Sequence, residues 1–170
     1  MALDEWNRIF NDTIEENEIE DHWSIIFDDH IVPDKPDPGW KQFISGAFAR
    51  FMCSMCRRTW PSKRVLVVFH MRRWPEENKG VVKVRRFRQE CKRCSTRAME
   101  EPRFSAENIE VLLEKLVVKI LVKCYSKDAG EKNTPFHLDG RIDGPHEAAH
   151  CEACKLGICR QVTATGPAQD

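Results

Sequence analysis

Three Cys-x2-Cys pairs constrain this chain more than any other feature of its sequence. They are Cys53 with Cys56, Cys91 with Cys94, and Cys151 with Cys154. The first two pairs flank two strand-like runs, so a hairpin formed by those runs would bring both pairs to one end. Four thiolates placed in this way can bind a single tetrahedral zinc ion, with each sulfur about 2.3 Å from the metal. The sequence therefore predicts an α+β fold built on a zinc-ribbon-like antiparallel β hairpin, with amphipathic helices packed around it.

The cysteine content fits either disulfides or metal sites, and the cellular compartment decides between them. The chain has eight cysteines in 170 residues. Its first residues, MALDEWNR, lack the basic start and the apolar run of a signal peptide. Reduced thiols and zinc are therefore favoured, and disulfides stay open for a protein exported by another route. The longest apolar run, residues 65–69, is far shorter than the roughly 20 residues of a membrane helix, so we expect a soluble chain.

A second metal site is predicted around the third cysteine pair. The preferred ligand sets are Cys53, Cys56, Cys91 and Cys94 for one zinc ion, and His146, Cys151, Cys154 and Cys159 for a second zinc ion. His150 could replace His146, and a cross-brace in which the first and third cysteine pairs share one ion stays open. Both sites would be four-coordinate, which leaves no position for a reactive water. The two ions are therefore expected to be structural.

No catalytic pattern accompanies the cysteine pairs. The redox interpretation of Cys-x2-Cys requires a βαβ context and a pair exposed at the start of a helix, and neither is visible in the sequence. Nucleophile elbows, phosphate-binding glycine loops and paired carboxylates are also missing from the sequence. We therefore expect a protein that offers a docking surface and is not an enzyme.

Hydrophobic spacing predicts the remaining elements. Apolar residues at intervals of three and four predict helices over residues 3–16 and 105–124. Cys124 lies on the apolar stripe of the second helix, so we do not count it as a metal ligand. Runs rich in β-branched and aromatic residues predict strands over residues 23–27, 40–52, 64–74 and 81–89. The chain then divides into an acidic helix with lead-in strands (1–52), a zinc-binding domain (53–160) and a disordered tail (161–170).

Charge is distributed unevenly along a chain that has no net charge. Residues 1–40 carry a net charge of minus ten, and residues 53–97 carry one of plus eleven. The two segments could pack together and neutralise each other, or the basic segment could attract a polyanion such as RNA. Aromatic residues available for base stacking are Trp60, Trp74 and Phe87. The candidate phosphate contacts are Arg57, Arg58, Lys63, Arg64, Arg72, Arg73, Lys83, Arg85, Arg86, Arg88, Lys92 and Arg93.

Five short motifs carry a resemblance to a known family. They are PGWKQ at residues 38–42, RFxCSxC at 50–56, VVFHM at 67–71, QxCxxC at 89–94 and GPHx4CEACxxGIC at 144–159. In these motifs the chain resembles the receptor-transporting proteins, whose zinc-finger domain contains three Cys-x2-Cys pairs. The similarity runs from about Asp4 to Cys159, which is nearly the whole chain.

The resemblance implies a chaperone-like accessory protein that helps G-protein-coupled receptors, such as odorant, taste or opioid receptors, to reach the cell surface. It would act on the cytoplasmic face of internal and plasma membranes. One branch of the family resembles interferon-induced antiviral proteins whose zinc finger binds viral RNA, and this is the alternative function. Family members typically end in a membrane-anchoring helix, whereas no segment after Cys159 is apolar enough for one. The expectation is therefore a shortened chain or a soluble family member.

Overall fold

The structure is a computed structural model that describes residues 2–94, 98–127 and 151–155, with side chains in the last segment through residue 153. Its elements are α1 (Ala2–Glu16), β1 (His22–Phe27), β2 (Lys41–Met52), β3 (Thr59–Trp74), a 3-10 turn (Pro75–Glu77), β4 (Lys79–Arg86), β5 (Gln89–Glu90), β6 (Met99–Glu100), α2 (Ala106–Tyr125) and α3 (Glu152–Lys155). The predicted α+β class is therefore confirmed.

The chain divides into two compact units, which are described separately. The helical unit comprises Met1–Ser45, Val68–Arg85 and Ala106–Phe136. The cysteine unit comprises Gly46–Val67, Arg86–Ser105 and His137–Asp170. Strands β2 and β3, and β4 through its last residue Arg86, contribute residues to both units.

Four strands form a mixed sheet in the order β1-β4-β3-β2. β3 and β4 are neighbours joined by the short turn at residues 75–78, so they run antiparallel and form the predicted hairpin. β1 pairs with β4 in parallel, with Ser24 opposite Val81 and Ile26 opposite Lys83. Hydrophobic spacing does not indicate this parallel pair, because a parallel partner lies far away along the chain. β5 and β6 form a separate antiparallel pair.

The predicted helices and strands are present, with some shifted ends. Both long helices begin and end within one residue of the predicted bounds. β3 begins at Thr59 instead of residue 64, and β4 ends at Arg86 instead of residue 89. Residues 128–150 and 156–170 lie outside the described residues. The division of the chain into three segments stays a prediction.

The core of the helical unit is formed by the apolar stripes of its two long helices and by the sheet. α1 contacts both β1 and α2, and its stripe buries Trp6, Ile9, Phe10 and Ile14. The stripe of α2 buries Ile109, Leu112, Leu113, Leu116, Val117, Ile120 and Leu121. Burying each large apolar side chain contributes roughly 1.5–3 kcal/mol to the free energy of folding, before the loss of conformational entropy is counted. The period of the sequence therefore decides which face of each helix turns inward.

One side chain of α1 protects the outer edge of β1. The Asn7 amide nitrogen donates to the Ile25 carbonyl at 3.0 Å, and the Asn7 Oδ1 accepts from the Ile25 N–H at 2.8 Å. Asn7 thus makes both hydrogen bonds that a neighbouring strand would make with Ile25. Because exposed strand edges tend to pair with other chains, this contact limits edge-to-edge association as well as anchoring α1.

A polar network joins the end of α2 to the sheet within the helical unit. The Tyr125 hydroxyl donates to Asp21 Oδ2 at 2.5 Å and accepts from Trp23 Nε1 at 3.0 Å. Arg73 Nε donates to the same Asp21 oxygen at 2.8 Å. The hydrogen bond from Tyr125, assisted by Arg73, holds the pKa of Asp21 below its ordinary value. A Cβ added at Gly80 would lie 2.4 Å from the Trp23 ring, so any other residue there would force this ring or the strand to shift.

Candidate metal centre

The first cysteine pair lies in a tight turn directly after β2. The Cys53 carbonyl accepts from the Arg57 N–H at 3.0 Å, and the Cys53 N–H donates to the Arg58 carbonyl at 2.8 Å. Arg57 has a φ of 65°, in the left-handed region that closes the turn. The Met55 and Cys56 N–H groups both donate to the Cys53 sulfur at 3.4 Å. The turn therefore surrounds this sulfur with donors that favour its thiolate form.

The four cysteines of the first predicted site converge. The Cys53 and Cys94 sulfurs are 3.4 Å apart, and the Cys56 and Cys91 sulfurs are 3.8 Å apart. All four sulfurs lie within 4.8 Å of one another. A tetrahedron whose sulfurs lie about 2.3 Å from a zinc ion has edges of about 3.8 Å. The observed spacing therefore fits a four-thiolate zinc site.

The thiols of this cluster have unequal acidities. Burial opposes ionisation of Cys91, but hydrogen bonds from the Arg58 side chain and two backbone N–H groups outweigh it and lower its pKa to about 6. The neighbouring Cys56 and Cys53 thiols raise the pKa of Cys94 to about 12. The backbone N–H of Cys56 lowers the pKa of Cys53. Thiolates this close repel one another, and a divalent cation among them offsets that repulsion.

Comparison with known proteins also supports zinc binding. Residues 46–157 match a family described as a zinc-binding domain of the three-CxxC zinc-ribbon type. The chain is 38% identical to receptor-transporting protein 3 of Mus musculus over 93% of this chain and 34% of the relative. It is 36% identical to receptor-transporting protein 2 of Mus musculus over 91% of this chain and 69% of the relative. This chain belongs to the receptor-transporting protein family.

Human receptor-transporting protein 1 is a further relative, 36% identical over 93% of this chain and 60% of its own length. This family member thus spans between about a third and about two thirds of the relatives named here. No solved structure matches it. The resemblance that the five sequence motifs carry is confirmed.

The third cysteine pair is described only in part. Cys151 is buried and forms an antiparallel bridge with Gln89. The Glu152 N–H donates to the Arg88 carbonyl at 2.9 Å, and the Glu152 carboxylate accepts from the Arg88 N–H at 2.8 Å. The backbone at Cys151 is therefore fixed beside the chain segment that leads into Cys91. His146, Cys159 and the Cys154 side chain lie outside the described residues, so the second zinc site stays a prediction.

The predicted basic contacts are divided between the two units. Arg72, Arg73, Lys83 and Arg85 lie in the helical unit, and the other eight lie in the cysteine unit. Several already have partners: Arg73 pairs with Asp21 at 2.8 Å, and Arg85 donates to the Ile31 carbonyl at 3.0 Å. Arg86 and Arg88 both lie 3.5 Å from Glu101. The exposed members of the set are Arg57, Lys63, Lys92 and Arg93.

The aromatic residues considered for base stacking are partly used inside the protein. Phe87 is buried, and Trp60 stacks on Phe51 with ring centroids 5.4 Å apart. Trp74 contacts Trp40 edge to face at 5.8 Å and lies beneath the Arg72 guanidinium. These packing roles depend on contacts between strands, and the sequence alone does not indicate them.

Ser54 and Glu100 form a contact within the cysteine unit that the sequence did not indicate. The Glu100 carboxylate accepts hydrogen bonds from the Ser54 N–H and from its hydroxyl, each at 2.8 Å. These bonds tie β6 to the turn that carries the first cysteine pair.

In the part of the chain that the structure describes, no helix has the length and apolarity required to cross a membrane.

Proposed function

We propose that this family member is a non-enzymatic, zinc-dependent accessory protein that promotes trafficking of G-protein-coupled receptors to the cell surface. The observation that carries the proposal is its similarity, across about nine tenths of its length, to proteins named for receptor transport. It would act, with chaperone-like function, on the cytoplasmic face of internal and plasma membranes. Odorant, taste and opioid receptors are the client classes to test.

The zinc dependence would come from closed metal sites. Cys53, Cys56, Cys91 and Cys94 would bind one structural zinc ion, and the sulfur spacing of the cluster supports this assignment. His146, Cys151, Cys154 and Cys159 would bind a second ion. When bound, zinc supplies folding energy by holding thiolates from distant parts of the chain together. A closed set of four ligands favours a structural role over catalysis.

The trafficking proposal is tested by co-expressing this chain with one receptor of each client class and labelling the receptors at the cell surface. We expect the chain to raise surface labelling and Cys53→Ser to abolish the increase. Cys124→Ser is the matched control, because Cys124 lies in α2, outside the thiol cluster. A relative such as receptor-transporting protein 2 serves as the positive control. Unchanged labelling by this chain, with the relative active on the same receptors, would contradict the proposal.

RNA binding of the antiviral type is a second candidate function. It is favoured by the exposed cations Arg57, Lys63, Lys92 and Arg93, which all belong to the cysteine unit. Phosphate contacts release counterions, so affinity for RNA should fall steeply as salt is raised. Titration with single-stranded RNA at low and high salt measures this slope. Absence of binding at low salt, or binding without a salt slope, would exclude this candidate.

A further inference from the structure

An exposed apolar side chain lies in the first turn of the thiol cluster. Met55, between Cys53 and Cys56, is 62% exposed, the largest exposed fraction among the large apolar residues that the structure describes. Its backbone is held in the turn, because the Met55 N–H donates to the Cys53 sulfur at 3.4 Å. A single exposed apolar residue is ordinary by itself, so its surroundings decide whether it has a role.

Cations flank Met55 at the same end of the cysteine unit. The four cysteine sulfurs lie within 4.8 Å of one another, so the two Cys-x2-Cys turns meet there. Arg57, Lys92 and Arg93 are exposed, and each directly adjoins one of these cysteines along the chain. We call Met55 and these three cations the turn surface. It combines an apolar side chain with positive charge.

The segments that carry the turn surface are strongly basic. Residues 46–67 contain five Lys and Arg residues and no acid, and residues 86–105 contain six Lys and Arg residues against three acids, which gives a net charge of plus eight. A four-thiolate zinc site has a net charge of minus two, so a surplus of about plus six would remain after zinc binds. These segments therefore attract an anionic partner.

The three acids of these segments have contacts of their own. Glu90 is buried, and Glu101 lies 3.5 Å from Arg88. The Glu100 carboxylate accepts from the Ser54 N–H and from its hydroxyl, each at 2.8 Å. The surplus of positive charge is therefore not cancelled within the cysteine unit.

An apolar side chain among cations fits the surface of an anionic bilayer better than it fits RNA. Cytoplasmic leaflets have a negative surface potential that attracts Lys and Arg, and the region below the headgroups accepts apolar side chains. Single-stranded RNA is bound by aromatic side chains that stack on its bases. In the cysteine unit, Phe87 is buried and Trp60 already stacks on Phe51. The exposed Met55 side chain therefore has a use at a bilayer that a phosphate backbone does not provide.

We propose that the turn surface binds anionic lipid bilayers, with its three cations at the headgroups and Met55 inserted at the level of the first acyl carbons. This inference rests on the proposed function at the cytoplasmic face of membranes, because it names the surface that would face the lipid. Three cations and one apolar residue give weak, reversible binding. The contact would therefore orient the cysteine unit at a membrane without anchoring it.

The test measures co-sedimentation of the full, zinc-loaded chain with phosphatidylcholine vesicles that contain either no phosphatidylserine or about 30% of it. We expect binding to the anionic vesicles, weaker binding at high salt, and little binding to the neutral vesicles. Met55→Gln should lower the partition coefficient about threefold to tenfold, because an amide is not buried as a thioether is, and Met55→Leu should preserve it. Val122→Gln, at an exposed apolar residue of α2, is the matched control and should change it less than about twofold.

The contribution of charge is tested with Arg93→Gln. We expect it to lower the partition coefficient about fivefold, the effect of one cation close to an anionic surface. Lys123→Gln, which removes an exposed cation of α2, should have less than about half of that effect. Circular dichroism and zinc content show whether each variant is folded. If Met55→Gln does not fold, Arg93→Gln against Lys123→Gln decides the question.

Equal binding to neutral and anionic vesicles would overturn the proposal, as would binding that neither Met55→Gln nor Arg93→Gln weakens. Binding to single-stranded RNA without binding to vesicles would also overturn it and would assign the turn surface to RNA. None of these measurements involves a receptor, so their failure leaves the trafficking proposal in place. Unchanged receptor labelling at the cell surface would instead contradict the proposed function, and the two failures are therefore distinct.

Discussion

The helical unit and the cysteine unit achieve order by different means. In the helical unit, helices of 15 and 20 residues bury continuous apolar stripes. In the cysteine unit, the segment that carries Cys91 and Cys94 is bounded by β5 and β6, which are two residues long each. Strands this short supply few hydrogen bonds and little apolar area. Apolar packing therefore forms most of the core of the helical unit, whereas the second cysteine pair depends on side-chain contacts and, as we propose, on zinc.

Metal removal is expected to cause the largest loss of structure. This loss should be confined to the cysteine unit, and an equal loss in both units would contradict the difference described above. Structural zinc supplies on the order of 10 kcal/mol of apparent folding free energy in small zinc domains. Cys91→Ser, or chelation of the original chain, should therefore expose residues 86–105 to protease while the helical circular-dichroism signal persists. Limited proteolysis with mass spectrometry locates the cuts. The burial-raised pKa of Cys124, about 11, marks it as an unreactive thiol, and Cys124→Ser serves as the control.

Equal protection of residues 86–105 with and without metal would show that side-chain contacts alone hold this segment. The hydrogen bonds from Ser54 to Glu100 and from Trp60 to Gln89 are the contacts that would then account for its order. That result would also weaken the assignment of the four thiols as zinc ligands.

A substitution at Gly80 gives the next largest effect and tests packing in the helical unit. The added methyl of Gly80→Ala would lie 2.4 Å from the Trp23 ring, which is itself held by Tyr125. Overpacking of this kind costs about 1–3 kcal/mol, and we expect the free energy of unfolding to fall by that amount in denaturant titration. Gly46→Ala is the matched control, because an added Cβ there meets no atom within 4 Å. Equal stability of the two variants would show that the Trp23 ring can move aside.

The sequence predicted the features that depend on local periodicity and on cysteine spacing. The apolar periods predicted both long helices, and the paired cysteines predicted the convergence of four sulfurs around one hairpin. The parallel pairing of β1 with β4 and the capping of the β1 edge by Asn7 were not predicted. Both depend on residues far apart along the chain, and local patterns contain no information about such pairing. Arg58 was interpreted as one cation among many, because only the folded chain places it over Trp60.

The smallest expected effect concerns pH and the buried His70 of the helical unit. Gln42 Oε1 accepts from the Asp34 N–H at 2.7 Å, and Gln42 Nε2 donates to the Asp34 carboxylate at 3.1 Å, which fixes the orientation of the amide. His70 Nε2 lies 3.0 Å from the same Oε1, and because this oxygen is an acceptor, Nε2 is the nitrogen that donates. Burial lowers the pKa of His70, and the nearby Lys83 adds to this, while Asp37 and Asp28 oppose it.

Because the pKa of His70 is lower in the folded state than the ordinary value of about 6.5, the unfolded chain binds a proton first as the pH falls. The stability contributed by the neutral ring is therefore full above that ordinary value and is lost as the pH falls toward the folded pKa. Denaturant titrations at pH 7.5 and 5.5 should show that the free energy of unfolding falls less in His70→Gln than in the original chain. Thiol protonation affects both proteins equally and cancels in the difference. His22→Gln, at an exposed histidine, is the control and should lose as much stability between pH 7.5 and 5.5 as the original chain. If His70→Gln lost as much stability as the original chain over the same pH range, the His70 ring would already have access to water.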